Sequence, residues 1–338
     1  MKDLKTILIA NYTTLTQKQY TLELTYQCFG QPLGNATVVL VVHALTGNSQ
    51  VMGENGWWND IVGPNKCIDT KHYTVLCFDI PGNGYGANKG CLIEHYKDFT
   101  SRDVSNVFAL GLKKLNISSL YAVVGASLGG GIAWHLAIDN PELCQHIIPI
   151  ASHWRATDWL VANAHIQDSI LNNSETPIED ARKHAMTFYR TAASFDEKFG
   201  NKKQDTDAFA VEYWLDYHGN TLKNRFRLSA YKLMNHLLKT IRVAETEPDF
   251  LKKAARIKGD IRIVTIETDG LFHATYNWQT YFQLKKTKPN TFISEIKSIH
   301  GHDAFLIEFS QLAQFLKPVF QQKHADNEKS SYHPIRNW

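Results

Sequence analysis

A chain of 338 residues with 43% apolar and 20% charged side chains can bury a large core and is not a disordered polymer. Basic residues exceed acidic ones by a net charge of only +3, so no strong field favours nucleic acid or an anionic membrane surface. The five cysteines (Cys28, Cys67, Cys77, Cys91, Cys144) are scattered, with no C-x-x-C pair, which argues against a disulfide framework or a zinc finger and makes a reduced, cytoplasmic protein the expectation.

From the N-terminus, residues 1–10 hold an apolar run too short for a signal peptide, with an acid already at Asp3. Strands are expected over 19–28 and 37–43, and the apolar run in the second is far below the ~18 residues of a membrane span. A third strand is expected over 73–79, where Cys77 reads as a small buried hydrophobe. Residues 101–115 read as a helix, with Thr100 or Ser101 as N-cap and Val104, Val107, Phe108, Leu112 and Leu115 at helical spacing. Further strands are expected over 120–125, 146–151, 261–267 and 292–296. Several of these are continuous apolar runs, as in strands covered on both faces, so the expected class is α/β with a parallel sheet between helices. The rhythm breaks between 153 and 258, where helices are expected over 178–199, 207–217, 227–241 and 250–255. A block of about 100 residues is too long for a loop. It should lie over the sheet as a lid. From Gln322 onward the chain is polar, and a loose tail is expected.

The strongest chemical signal is Gly125-Ala-Ser-Leu-Gly129, directly after an apolar strand and directly before a helical run. Those flanks are what a nucleophile elbow requires, with Ser127 at a strained strand-to-helix turn. Three glycines opening a helix, Gly129 to Gly131, each cost roughly 1 kcal/mol against alanine, so close backbone approach is expected there. An elbow serine needs an acid and then a histidine further along the chain. Asp269 follows the strand expected over 261–267, although Asp beside Gly270 is also an ordinary turn former. His302 follows the next strand; His300 is its nearest rival among fifteen histidines, and Gly301 with the helix-like start at Asp303 favours His302. The loop His43-Ala-Leu-Thr-Gly-Asn48 follows an apolar strand and is placed to give one oxyanion-hole amide, Leu45, beside that of Leu128.

Over residues 20 to 316 the chain resembles the homoserine O-acetyltransferases of the α/β-hydrolase superfamily. The resemblance is carried by His43-Ala-Leu-Thr-Gly47, Gly56-Trp-Trp-Asn-Asp60 and Ile61-Val-Gly-Pro-Asn-Lys-Cys-Ile-Asp69, and by Gly125-Ala-Ser-Leu-Gly-Gly130, Asp269-Gly-Leu-Phe272 and Gly301-His-Asp-Ala-Phe-Leu306. Within the helical block it is carried by Phe188-Tyr-Arg190, the run from Phe209 to Gly219, Arg225-Phe226 and Ser229-Ala-Tyr231. The family usually has Met where this chain has Leu128, a position that acts through its backbone. It also carries a Gly-Gly-Cys-x-Gly-Ser/Thr-Thr-Gly-Pro stretch; here Pro81 to Gly90 keeps glycines but lacks the hydroxyls and the Gly-Pro, and the segment before Ser101 is shorter.

The resemblance implies an α/β-hydrolase fold: a mostly parallel central sheet flanked by helices, with a core over 1–152 and 259–323, a large helical lid over 153–258 and a tail over 324–338. It implies an acyltransferase that moves an acetyl group from acetyl-CoA to L-homoserine in methionine biosynthesis, through a seryl intermediate on Ser127 with Asp269 and His302. Arg190 would hold the acceptor's carboxylate and Asp303 its ammonium. No metal or bound cofactor is expected, acetyl-CoA being a substrate, and the expected assembly is a homodimer formed through the lid. An esterase, or an acyltransferase using succinyl-CoA or L-serine, is the alternative reading.

Overall fold

In the computed structural model, which describes residues 4–86, 91–204 and 207–321, the expected strand rhythm builds one eight-stranded sheet. Its strands are β1 (Lys5–Thr13), β2 (Gln19–Gly30), β3 (Val38–Val42), β6 (Thr74–Phe78), β7 (Leu120–Ala126), β8 (Cys144–Ile150), β9 (Asp260–Ile266) and β10 (Thr291–Ile296), while the short β4 (Val62–Gly63) and β5 (Ile68–Asp69) pair separately. The order is β1-β2-β6-β3-β7-β8-β9-β10. The pairings β1–β2 and β2–β6 are antiparallel and the rest parallel, as the continuous apolar runs implied. Along β3, Leu40 and Val42 join the core on one face, and Val39 and Val41 the core on the other. Cys77 is fully buried, and burial pushes its thiol well above the ordinary value. All five cysteines are free.

The edge strand β1 was not anticipated. Most of its residues are exposed, so it lacks the buried run that marks the inner strands. Long-range contacts hold it: the Tyr12 hydroxyl donates to Asp103 (2.8 Å), the acid of the capping box that starts helix α1 (Ser101–Lys114). Helix α2 (Leu128–Asp139) follows β7.

Among the described residues, six helices lie between β8 and β9: α3 (Asp158–Asn173), α4 (Pro177–Tyr189), α5 (Ala192–Phe199), α6 (Ala210–Arg225), α7 (Leu228–Lys239) and α8 (Glu247–Ala254). Helix α3 was missed because its inward face is partly polar, with Asn163 and Gln167 buried beside Leu160 and Leu171. The single helix expected over 178–199 is broken. Arg190 is extended, and Thr191 starts a new helix by accepting the Ser194 N–H. Buried residues of the insertion join the core of the sheet: Leu233, Met234 and Leu237 share one with Leu40, Val123 and Ile132, and Phe250 of α8 stacks on Trp154 and meets Trp134 of α2 edge-on. Helices α9 (Ala274–Thr287) and α10 (Phe309–Phe320) complete the flanks. No helix among the described residues is long and apolar enough to cross a membrane. The expected tail over 324–338 and residues 87–90 of the altered Gly-rich stretch lie outside the described residues.

Candidate active site

The loops after β3, β7, β9 and β10 open at the carboxyl ends of parallel strands, the edge where α/β sheets hold ligands. Ser127 stands between β7 and α2 with φ 55° and ψ −123°, a strained conformation for a side-chain-bearing residue. Its N–H donates to Ile150 O (2.9 Å), which ties the turn to β8. The glycines are explained by close approach. A Cβ on Gly125 would overlap the Gly129 carbonyl, and one on Gly129 would overlap the carbonyl of Val42 at the end of β3. The elbow can therefore press against the strand that feeds the Leu45 loop.

His302, in a 3-10 turn over Gly301–Leu306, places Nε2 2.9 Å from Ser127 Oγ and Nδ1 2.8 Å from Asp269 Oδ2. Asp269 is held in turn: its Oδ1 accepts the N–H groups of Leu271 and Phe272, both at 2.8 Å. A carboxylate only accepts, so Nδ1 carries the imidazole proton and Nε2 is free to take the one on Ser127. The rings of Tyr189, Phe272 and Phe305 lie 5.6–5.7 Å from that of His302, which is buried. His300 is excluded as the base because its Nδ1 lies 2.9 Å from Ser194 Oγ, and it also meets Arg190.

Burial by itself would lower the His302 pKa, but the charge and hydrogen bond of Asp269, with the charge of Asp303, raise it above 6.5. Neutral imidazole is the working base. Acylation by p-nitrophenyl acetate is therefore expected to rise with pH through a midpoint above 6.5, and Asp303→Asn to move that midpoint down. A stopped-flow pH profile unchanged by Asp303→Asn would show that Asp303 does not act on the imidazole.

The amides of Leu45 and Leu128 form no hydrogen bond among the described residues, and both residues are buried beside the elbow. Arg190 and Asp303 also come together, but on each other: Arg190 Nε donates to Asp303 Oδ2 at 3.0 Å, and Nη1 to Ser194 Oγ at 3.3 Å. Arg190 reaches this place because of the helix break. Gly301, at φ 64°, packs so closely on the carbonyl of Tyr189 that a side chain there would collide. Sequence reasoning missed Tyr189 against the imidazole, and it missed a buried polar group around His43 and Asp79. Aromatic and acidic residues occur throughout the chain, and spacing alone does not single these out.

A family model described as alpha/beta hydrolase fold matches residues 37–293. Homoserine O-acetyltransferase of Salinibacter ruber is 29% identical, the match covering 91% of this chain and 93% of that protein. Among solved structures, homoserine O-acetyltransferase from Bacillus anthracis superposes with TM-score 0.84 at 18% identity, covering 94% of this chain and 97% of that one. Esterase E22 does so with TM-score 0.84 at 18% identity, covering 94% and 99%. At such identities the two structures speak for the fold alone. Strand order, elbow geometry and a family match running from the foot of β3 into β10 agree, and the chain belongs to the α/β-hydrolase fold family.

Proposed function

We propose that this chain is a homoserine O-acetyltransferase acting by double displacement, a step of methionine biosynthesis. The observation that carries the reading is the unbroken hydrogen-bonded line Ser127–His302–Asp269 beneath a helical lid, in a chain that matches homoserine O-acetyltransferases along nearly its whole length. Ser127 Oγ attacks the thioester carbonyl of acetyl-CoA while His302 Nε2 takes its proton. The oxyanion is held by the Leu45 and Leu128 N–H groups. Collapse expels CoA thiolate, which takes the proton from the imidazolium. L-Homoserine then enters, His302 deprotonates its hydroxyl as that oxygen attacks the acetyl carbonyl, and the imidazolium returns the proton to Ser127 Oγ as the acyl bond to it breaks. Each step uses only side chains and amides of this chain, with no bound cofactor.

A free amino acid carries one charge of each sign, and Arg190 and Asp303 present the complementary pair beside the imidazole. Among the described residues, Arg190 Nη2 makes no hydrogen bond that would hinder its turning to a carboxylate. Arg190→Lys is expected to weaken homoserine binding about ten- to a hundredfold, the scale of one charged hydrogen bond, while leaving the first burst of CoA unchanged. A lost burst with unaltered dependence on homoserine would refute this role.

The function as a whole is tested by CoA release from purified protein across acyl-CoAs and amino acids. Release from acetyl-CoA only with homoserine supports it. Succinyl-CoA or L-serine in their place would correct the donor or acceptor. Release without any amino acid points to hydrolysis, the alternative kept open by the fold shared with esterase E22, whereas the altered stretch from Pro81 bears on the choice of donor and acceptor. The lid is proposed to form a homodimer in the cytoplasm. Phe209, Tyr213 and Tyr217 stand exposed there, whereas Trp214 is half-buried against Phe195, Phe199 and His218. Sedimentation as a monomer at micromolar concentration would refute the dimer.

A further inference from the structure

The Leu45 N–H and the Ala44 carbonyl are the two ends of one planar trans peptide, so whatever holds the oxygen also aims the hydrogen. Ala44 O accepts the Gly47 N–H at 2.9 Å and lies 2.7 Å from His43 Nδ1. On the other side of the ring, His43 Nε2 lies 3.0 Å from Ile80 N. A backbone N–H can only donate, so Nε2 accepts, the single ring proton sits on Nδ1, and Nδ1–H donates to Ala44 O. The ring is fully buried, and burial lowers its pKa against the pull of Asp79, which keeps it neutral.

The far end of the same loop is fastened to the same place. Asp79, buried just after β6, accepts the Ser49 N–H (2.7 Å) and hydroxyl (2.8 Å), the Thr25 hydroxyl (2.8 Å) and the Asn83 side-chain amide (3.1 Å). Ile80, which orients His43, is the next residue. The end of β6 therefore grips the Leu45 loop at both His43 and Ser49.

From this arrangement, and resting on the reading of Leu45 as an oxyanion donor, we infer that His43 is a positioning residue for the oxyanion hole. Its Nδ1–H holds and polarises the Ala44–Leu45 peptide, so that the Leu45 N–H is fixed and made a stronger donor before substrate arrives. His43 touches no reacting atom. It acts through that one peptide.

Two near-isosteric variants separate this role from a structural one. Asparagine keeps a donor near the Nδ1 position, and glutamine keeps an acceptor near the Nε2 position facing Ile80. The assay is acylation of Ser127 by p-nitrophenyl acetate, which reads the oxyanion hole whatever the physiological donor is. Wild type that reacts with this ester but not with acetyl-CoA would sink the proposed function and leave this inference standing. His43→Gln is expected to lose about ten- to a hundredfold in kcat, short of the roughly 10²–10³ of deleting a whole oxyanion donor, with KM little changed. His43→Asn should recover most of the loss. Binding of an alkylboronic acid, which forms a tetrahedral adduct on the serine, should weaken in the same order. Glutamine as good as histidine, or equal losses in both variants, would overturn the inference. Should neither variant fold, ¹⁵N-histidine NMR on the unaltered protein decides: a neutral His43 with Nδ1–H and bare Nε2 supports it, and Nε2–H or an imidazolium overturns it.

Discussion

Replacing Ser127 by alanine is expected to lower turnover by about 10⁴- to 10⁶-fold, the range seen when a triad nucleophile is removed. The Ser127 hydroxyl is the group on the imidazole Nε2, so no other side chain can inherit its proton-coupled attack. What remains should be the weak catalysis of an oxyanion hole acting on water. The fold should survive. The strained φ of 55° is borne equally by alanine, and the variant loses one hydrogen bond, a net cost of about 0.5–1.5 kcal/mol. Mass spectrometry after mixing with acetyl-CoA checks the chemistry directly: wild type should show an acetyl adduct on the Ser127 peptide, and Ser127→Ala none. An adduct mapping to any other residue would refute the assignment.

Asp269→Asn should cost roughly 10³- to 10⁴-fold in kcat, with the fold intact and KM little changed. The size follows from which way the new amide must face. Two backbone N–H groups, from Leu271 and Phe272, point at one carboxylate oxygen. An asparagine satisfies them only by turning its carbonyl oxygen that way, which turns its NH₂ toward His302. That NH₂ needs an acceptor, so His302 Nδ1 must lose its proton and Nε2 must carry it. An imidazole protonated on Nε2 cannot accept the proton of Ser127. Single-turnover acylation in Asp269→Asn should therefore fall by as much as steady-state turnover. A loss confined to homoserine dependence would mean that Asp269 shapes the acceptor site instead.

Much of the core was legible from local pattern. The inner strands are short apolar runs because both faces are covered, and α1 announced itself through Thr100 and a stripe of apolar residues. Elements whose stability comes from distant contacts were not legible. Strand β1 exposes most of its length and is held by its pairing to β2 and by Asp103, and α3 buries amides rather than a clean apolar face. The break at Arg190 is of the same kind. The local sequence runs on as a helix, but Gly301 presses on the Tyr189 carbonyl, and Thr191 both caps the next helix and donates to the Ile299 carbonyl.

The sequence alone determined the class of fold, the identity of the elbow serine, and the need for close backbone approach at Gly129 to Gly131. Each of these follows from residues adjacent in the chain, through side-chain period, helix propensity and the absence of a Cβ. Gly301 and the helix-like start at Asp303 also favoured His302 over His300, and the structure agrees; the tertiary structure alone decided that Arg190 and Asp303 pair with each other and that His43 holds the peptide of Leu45. Those choices turn on side-chain contacts in the folded chain and on the helix break at Arg190. Such details are set by the packing of segments 37 to 175 residues apart, and no periodicity along the chain records them.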